Sequence, residues 1–176
     1  MNIFIAGSSH NDIPEKYLTL ADEVSKLLVK NNNLILGGIP STLPKNSMMG
    51  KYSSNFTNQE YVTVSKYANN LNKNELDKTT ILDYTMDRTK NLYNKADVIL
   101  FLPGGIGTLA ELSSTLEESR TNTTNKKIII YNYEGFFDNI LDWINKNIKE
   151  NFIYKEDITN YKVVNNTLEL IKEMER

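Results

Sequence analysis

Two hydrophobic patterns alternate along the chain. Short apolar, β-branched runs recur at Asn2–Ala6, Leu34–Leu36, Tyr61–Val64, Thr80–Leu82, Val98–Leu102 and Lys127–Tyr131, the length and composition of strands. Between most of these runs the apolar residues fall at three- and four-residue intervals, the spacing of one helix face. Tyr17, Leu20, Ala21, Val24, Leu27 and Leu28 form such a stripe, with Pro14 suited to its first turn and Asn31 to Asn33 ending it. Phe136, Phe137, Ile140, Leu141, Ile144 and Ile148 form another, and Leu168, Ile171 and Met174 a third. These stripes and Trp143 are read as core. The alternation predicts an α/β architecture: a mainly parallel sheet with helices on both faces.

Residues 39 to 58 carry Pro40 and Pro44 and little periodicity, and Asn69 to Lys78 is polar and Asn-rich, so both are expected to be irregular connections. Neither is long enough to separate domains. No internal repeat is visible, and 176 residues suit one domain over 1–176.

Composition narrows the chemistry. Twenty basic and 22 acidic residues leave a formal charge of −2, so no overall attraction to a nucleic-acid polymer or an anionic membrane is expected. Any phosphate must be caught locally. The absence of cysteine excludes disulfides, cysteine-ligated zinc and a thiol nucleophile. The acids are scattered and histidine is single, so neither a metal nor another cofactor is expected. MNIFIAGSS reads as a first strand and not a signal peptide, and no apolar run approaches the roughly 20 residues of a membrane span. A soluble cytoplasmic protein is expected. The sequons at Asn55 and Asn122 are read as chance in an Asn- and Thr-rich chain.

The segment LPGGIGTLAEL, residues 102 to 112, carries the most specific chemistry. A strand, a glycine-rich turn and a helix starting near Ile106 aim free backbone N–H groups and the positive helix end at one spot, which attracts an anion such as phosphate. The pattern is neither GxxxxGK[ST] nor GxGxxG. Taken alone it is equally a tight turn without a ligand. Glu111, three residues after Thr108 and four after Gly107, shares the face of the first helical turns. An acid beside a phosphate pocket suits a sugar or a developing cation next to that phosphate; otherwise it simply complements the helix dipole.

PGGIGTLAE at Pro103–Glu111 resembles PGGxGTxxE, the signature of the LOG ("Lonely guy") family of cytokinin-activating nucleoside-monophosphate phosphoribohydrolases, often mislabelled lysine decarboxylases. No pyridoxal-phosphate lysine context accompanies the loop. IAGSS at Ile5–Ser9, LILGG at Leu34–Gly38, MMG at Met48–Gly50, KADVILFLPGG at Lys95–Gly105 and YNYEGFFDNILDWI at Tyr131–Ile144 extend the resemblance over most of the chain. The family's MxxRK arginine lies fifteen residues before the signature proline, which is Arg88 here; Met86 and Lys90 do not match the motif. The segment between Gly38 and Gly50 is longer than the family's, and Glu118 stands where a tryptophan near the base pocket is expected.

The resemblance implies a Rossmann-like three-layer fold, a homodimer, and hydrolysis of a nucleoside 5′-monophosphate to free base and ribose 5-phosphate. It implies Arg88 and Glu111 as catalytic residues, and Gly104, Gly105, Ile106, Gly107, Thr108, Ser8, Ser9 and Gly38 as the phosphate and substrate site. Glu111 would stabilise an oxocarbenium-like sugar, position water or hold ribose hydroxyls. Arg88 would supply a cation to phosphate or leaving base. Ser8 and Ser9 are otherwise a simple turn, and His10 carries no expectation. A non-hydrolytic nucleotide-binding or sensing module and a deoxyribonucleotide N-hydrolase or deoxyribosyltransferase stay open as alternatives.

Overall fold

The computed structural model describes residues 1–69, 71–121, 126–158 and 160–176. The strands are β1 (Asn2–Ala6), β2 (Asn33–Leu36), β3 (Gln59–Val64), β4 (Thr79–Leu82), β5 (Val98–Phe101), β6 (Lys127–Tyr131) and β7 (Tyr161–Val164). They form one sheet in the order β4-β3-β2-β1-β5-β6-β7, and every neighbouring pair is parallel. All six expected strands are present, and the parallel character is complete. The chain winds outward from β1 to β4, then returns to lay β5 beside β1. This reversal opens a crevice over the carboxyl ends of β1 and β5, where ligands of open α/β sheets bind.

The helices are α1 (Glu15–Leu28), α2 (Met48–Asn55), α3 (Lys73–Leu76), α4 (Thr85–Lys95), α5 (Ile106–Thr121), α6 (Asp138–Lys149) and α7 (Thr167–Glu175). Side-chain alternation along the strands feeds two cores, one on each sheet face. Ile3, Ile5, Leu34, Leu36 and Leu100 pack with Leu20 and Val24 of α1, Met48 and Tyr52 of α2 and Leu170 of α7. Phe4, Ala6, Ile35, Ile99 and Phe101 pack with Leu92 and Tyr93 of α4, Leu112 of α5 and Phe137 before α6. Each fully buried aliphatic side chain contributes about 2 kcal/mol of transfer free energy. No helix among the described residues is long and apolar enough to cross a membrane.

Several expectations need correction. Residues 39 to 58 hold a 3-10 turn at Pro40–Thr42 and the helix α2. Ser47 caps α2 by accepting from the Gly50 N–H at 3.0 Å. Met48, Met49, Tyr52 and Phe56 bury one face of this region, so the prolines concealed a real helical period. Asn69 to Lys78 contains the short α3, with Asn72 capping it by accepting from the Glu75 N–H. Strand β7 was not expected. Trp143 and Leu168 are each 61% exposed and Phe136 is 40% exposed, so they lie outside the core. Within α6, Ile144 is buried and Trp143 sits one position, about 100°, around the helix from it. The Asn55 side chain donates to Asp22 and Ser25, tying α2 to α1; Asn122 lies outside the described residues.

Candidate functional site

A cleft of about 670 Å³ lies over the carboxyl ends of β5, β1, β2 and β3, within the usual range of ligand pockets. The signature loop supplies one wall. Strand β5 ends at Phe101, and α5 starts at Ile106, so the intervening glycine turn leads directly into a helix N-terminus. The first N–H groups of a helix have no intrahelical partner and carry its positive end. Gly105, Ile106, Gly107 and Thr108 all line the cleft. Gly104 is not among the residues lining the cleft; a Cβ there would collide with the Thr108 side chain, so its bareness lets Thr108 fold back over the turn.

Glu111 follows one turn later on the inward face of α5, together with Thr108, Thr115 and Ser119. It is 8% exposed, and its Oε1 accepts from Arg88 Nη1 at 2.9 Å. Arg88 comes from the first turn of α4. Its Nη2 donates to the Gly37 carbonyl at the end of β2 in a short hydrogen bond. A Cβ at Gly37 would run into this guanidinium. The glycine after β2 therefore leaves room for the arginine, which any larger residue would have to displace from its present position. Arg88 thus joins the ends of β2 and α5 through two charge-assisted contacts.

Burial raises the Glu111 pKa above its ordinary value of 4.5; the Arg88 charge and hydrogen bond pull it down but do not cancel the effect. The result is a carboxylate held in a dry setting with one cation for company. Such a group favours any further positive charge brought beside it. Tyr52 of α2 lies close behind. It is fully buried, and its hydroxyl has no hydrogen-bond partner among the described residues. A Cβ on Gly7 would stand 3.5 Å from that hydroxyl, which places it under the end of β1. Its pKa is pushed well up by burial and by the Glu111 charge, partly offset by Arg88.

The structure therefore brings Arg88, Glu111, Gly105, Ile106, Gly107, Thr108, Ser8, Ser9 and Gly38 to one cleft. His10 also lines it, with its N–H donating to Ser8 Oγ at 3.1 Å. Glu118 does not reach it. That residue borders a separate cavity of about 130 Å³ between α4 and α5, with Met86, Lys90 and Tyr93. Reasoning from sequence missed the Gly37 carbonyl and Tyr52, and also the far wall formed by Thr42, Leu43, Pro44, Thr63, Val64, Tyr67 and Asn69. The stripe Met48, Met49, Tyr52 was the available signal for the tyrosine. Thr63 and Val64 end the expected strand β3, whereas the other far-wall residues occupy the segments after β2 and β3, whose sequence carries no periodic signal.

Comparison with known proteins supports the same family. The model of a family described as "Possible lysine decarboxylase" matches residues 24–174. A cytokinin riboside 5′-monophosphate phosphoribohydrolase of Mycobacterium tuberculosis is 24% identical over 98 residues, 56% of this chain and 52% of the relative. A "Probable cytokinin riboside 5′-monophosphate phosphoribohydrolase" of Oryza sativa subsp. japonica is 27% identical over 153 residues, 84% of this chain and 60% of the relative. The chain thus spans less than two thirds of the length of these relatives. Among solved structures, the Moco carrier protein of Chlamydomonas reinhardtii superposes with a TM-score of 0.66 at 15% identity, covering 99% of this chain and 94% of that one. The molybdenum cofactor binding protein of Rippkaea orientalis gives 0.60 at 17% identity, covering 99% and 96%. At such identities the structural likeness concerns the fold.

Proposed function

We propose, from the premise that this chain belongs to the family described as "Possible lysine decarboxylase" that includes the LOG enzymes, that it hydrolyses the N-glycosidic bond of a nucleoside 5′-monophosphate. The family description itself names a different chemistry. A pyridoxal-phosphate decarboxylase holds its cofactor through a lysine Schiff base, and no lysine is among the described residues lining the cleft. The residues present do not fit that group.

The observation that carries the proposal is the buried Arg88–Glu111 pair, one helical turn below a bare helix N-terminus. The N–H groups of Gly105 to Thr108 take the 5′-phosphate, with the Thr108 side chain beside them, and this fixes the sugar over Glu111. As the C1′–N bond breaks, its electron pair leaves with the base nitrogen and positive charge develops on the sugar. Glu111 stabilises that charge and orients a water, whose oxygen forms the new bond to C1′. The proton lost from water ends on the base. Arg88 holds Glu111 in place and offers a cation to the phosphate or to the departing base. Positioning of this kind supplies much of the rate gain in such sites.

The proposal includes a homodimer in the cytoplasm. Leu76, Ile81, Tyr84 and Met86 are exposed around the β4 edge, a surface a second copy would cover; sedimentation of the purified protein tests this. For the reaction, the protein is incubated with ribo- and deoxyribonucleoside 5′-monophosphates and free base is followed by chromatography. Base released from ribonucleotides is the expected result. Release from deoxyribonucleotides alone would favour the deoxyribonucleotide N-hydrolase. Thermal stabilisation by nucleotides without any release would favour a non-hydrolytic binding module.

A further inference from the structure

The cleft crosses four strand ends in the order β5, β1, β2, β3. Parallel neighbours lie about 4.8 Å apart, so three steps span about 14 Å from the glycine loop to the end of β3. The chemistry changes along this row. At β5 stand the bare N–H groups of α5. Over β1 and β2 stand Glu111 and Arg88, the latter bound to the Gly37 carbonyl. Beyond β2 the lining becomes neutral: Leu43 and Pro44 from the loop after β2, Thr63 and Val64 at the end of β3, then Tyr67 and Asn69 just after it. Tyr67 closes a 3-10 turn at Ser65–Tyr67 and is 60% exposed, although it lines the cleft.

A nucleotide has three linked parts in the same sequence: an anion, a pentose that becomes cationic in the transition state, and an uncharged heteroaromatic ring. With the phosphate on α5 and the sugar over Glu111, the ring extends away from α5 toward β3. There it meets, among the described residues, an aromatic ring with the Lys66 ammonium 5.6 Å from its centroid, an amide, and neutral lining side chains. Tyrosine faces stack on any base, and an asparagine amide offers both a donor and an acceptor to a base edge. Glu118, which stands where the resemblance placed a base-pocket residue, borders a different cavity. We infer that Tyr67 is the stacking platform for the base and Asn69 its edge reader, so that specificity resides in the turn after β3. This inference rests on the phosphoribohydrolase proposal for the same cleft.

The test measures binding, so that it does not depend on turnover. In a Glu111→Gln background, the four common ribonucleoside 5′-monophosphates and base-free ribose 5-phosphate are titrated calorimetrically, with and without Tyr67→Ala. Tyr67 is exposed, and a thermal melt confirms that the variant folds. The expected result is that Tyr67→Ala weakens the tightest-binding nucleotide about tenfold, leaves ribose 5-phosphate unchanged, and is rescued by Tyr67→Phe. Asn69→Asp should alter the ranking among the four bases. Equal weakening of nucleotide and ribose 5-phosphate, or no change in either, would overturn the inference while leaving the hydrolase proposal standing. If neither ligand binds with Tyr67 intact, the hydrolase proposal itself fails and the inference falls with it.

Discussion

The two walls of the cleft are built on different principles. The wall from α4 and α5 is buried and tied together: Arg88 and Glu111 have side chains only 16% and 10% exposed, and the arginine also grips the Gly37 carbonyl. The wall from the end of β3 and the segments after β2 and β3 is lined by neutral side chains, and its Tyr67 and Asn69 are exposed, with the Lys66 ammonium over the Tyr67 ring. A group that must meet a developing charge has to be fixed before the substrate arrives, and regular elements with a supporting hydrogen bond achieve this. A group that selects among similar rings can sit on a surface turn, where substitutions leave the core undisturbed. The first wall should therefore govern rate and the second affinity.

The largest test of this division is Glu111→Gln. It keeps the shape and removes the charge, so base release should fall about a hundred- to a thousandfold while circular dichroism stays native. Undiminished release would remove Glu111 from the reaction. Arg88→Met comes next. Without its cation, Glu111 should titrate still higher, so the acid limb of the rate profile moves to higher pH. Stability carries the same sign. Because the folded pKa is already raised above 4.5, the favourable contribution of Glu111 is complete below the unfolded pKa and is lost as pH rises through the folded one. The Met variant should lose about 3 kcal/mol near neutrality, with a smaller deficit in acid, as read from urea unfolding at several pH values. A deficit independent of pH would mean that Arg88 acts through packing alone.

The sequence made these walls legible to different degrees. The strands and the glycine turn could be read because buried parallel strands are continuous apolar runs and glycines mark close approach. Arg88 could be placed only by its offset from the signature, since a single arginine on α4 shows no periodic pattern of its own. Helix α2 was hidden because Pro40 and Pro44 dominate the preceding segment, although Ser47 as a cap and the Met48, Met49, Tyr52 stripe announce it. Trp143 departs from the usual burial of its residue type, because its place on α6 turns it to solvent. Tyr67 and Asn69 carried no signal in the sequence, because residues that follow a strand enter a pocket wall only through where the strands end in space.

The smallest effect is expected beneath the reactive wall, at Tyr52. Its hydroxyl is buried with no partner among the described residues, which is a cost of order 1 kcal/mol to the folded protein. Burial and the Glu111 charge keep the phenol protonated, so Tyr52→Phe removes a neutral group and leaves the ring packing against Gly7 intact. The variant should gain about 1 kcal/mol and melt about 2 to 4 °C higher, with base release unaltered. A lower melting temperature would show that the hydroxyl is paired in solution, through a buried water or a shift of Glu111. A higher melting temperature with collapsed turnover would place Tyr52 in the reacting wall, and the boundary between rate and affinity would then have to be drawn beneath β1 instead of between α5 and β3.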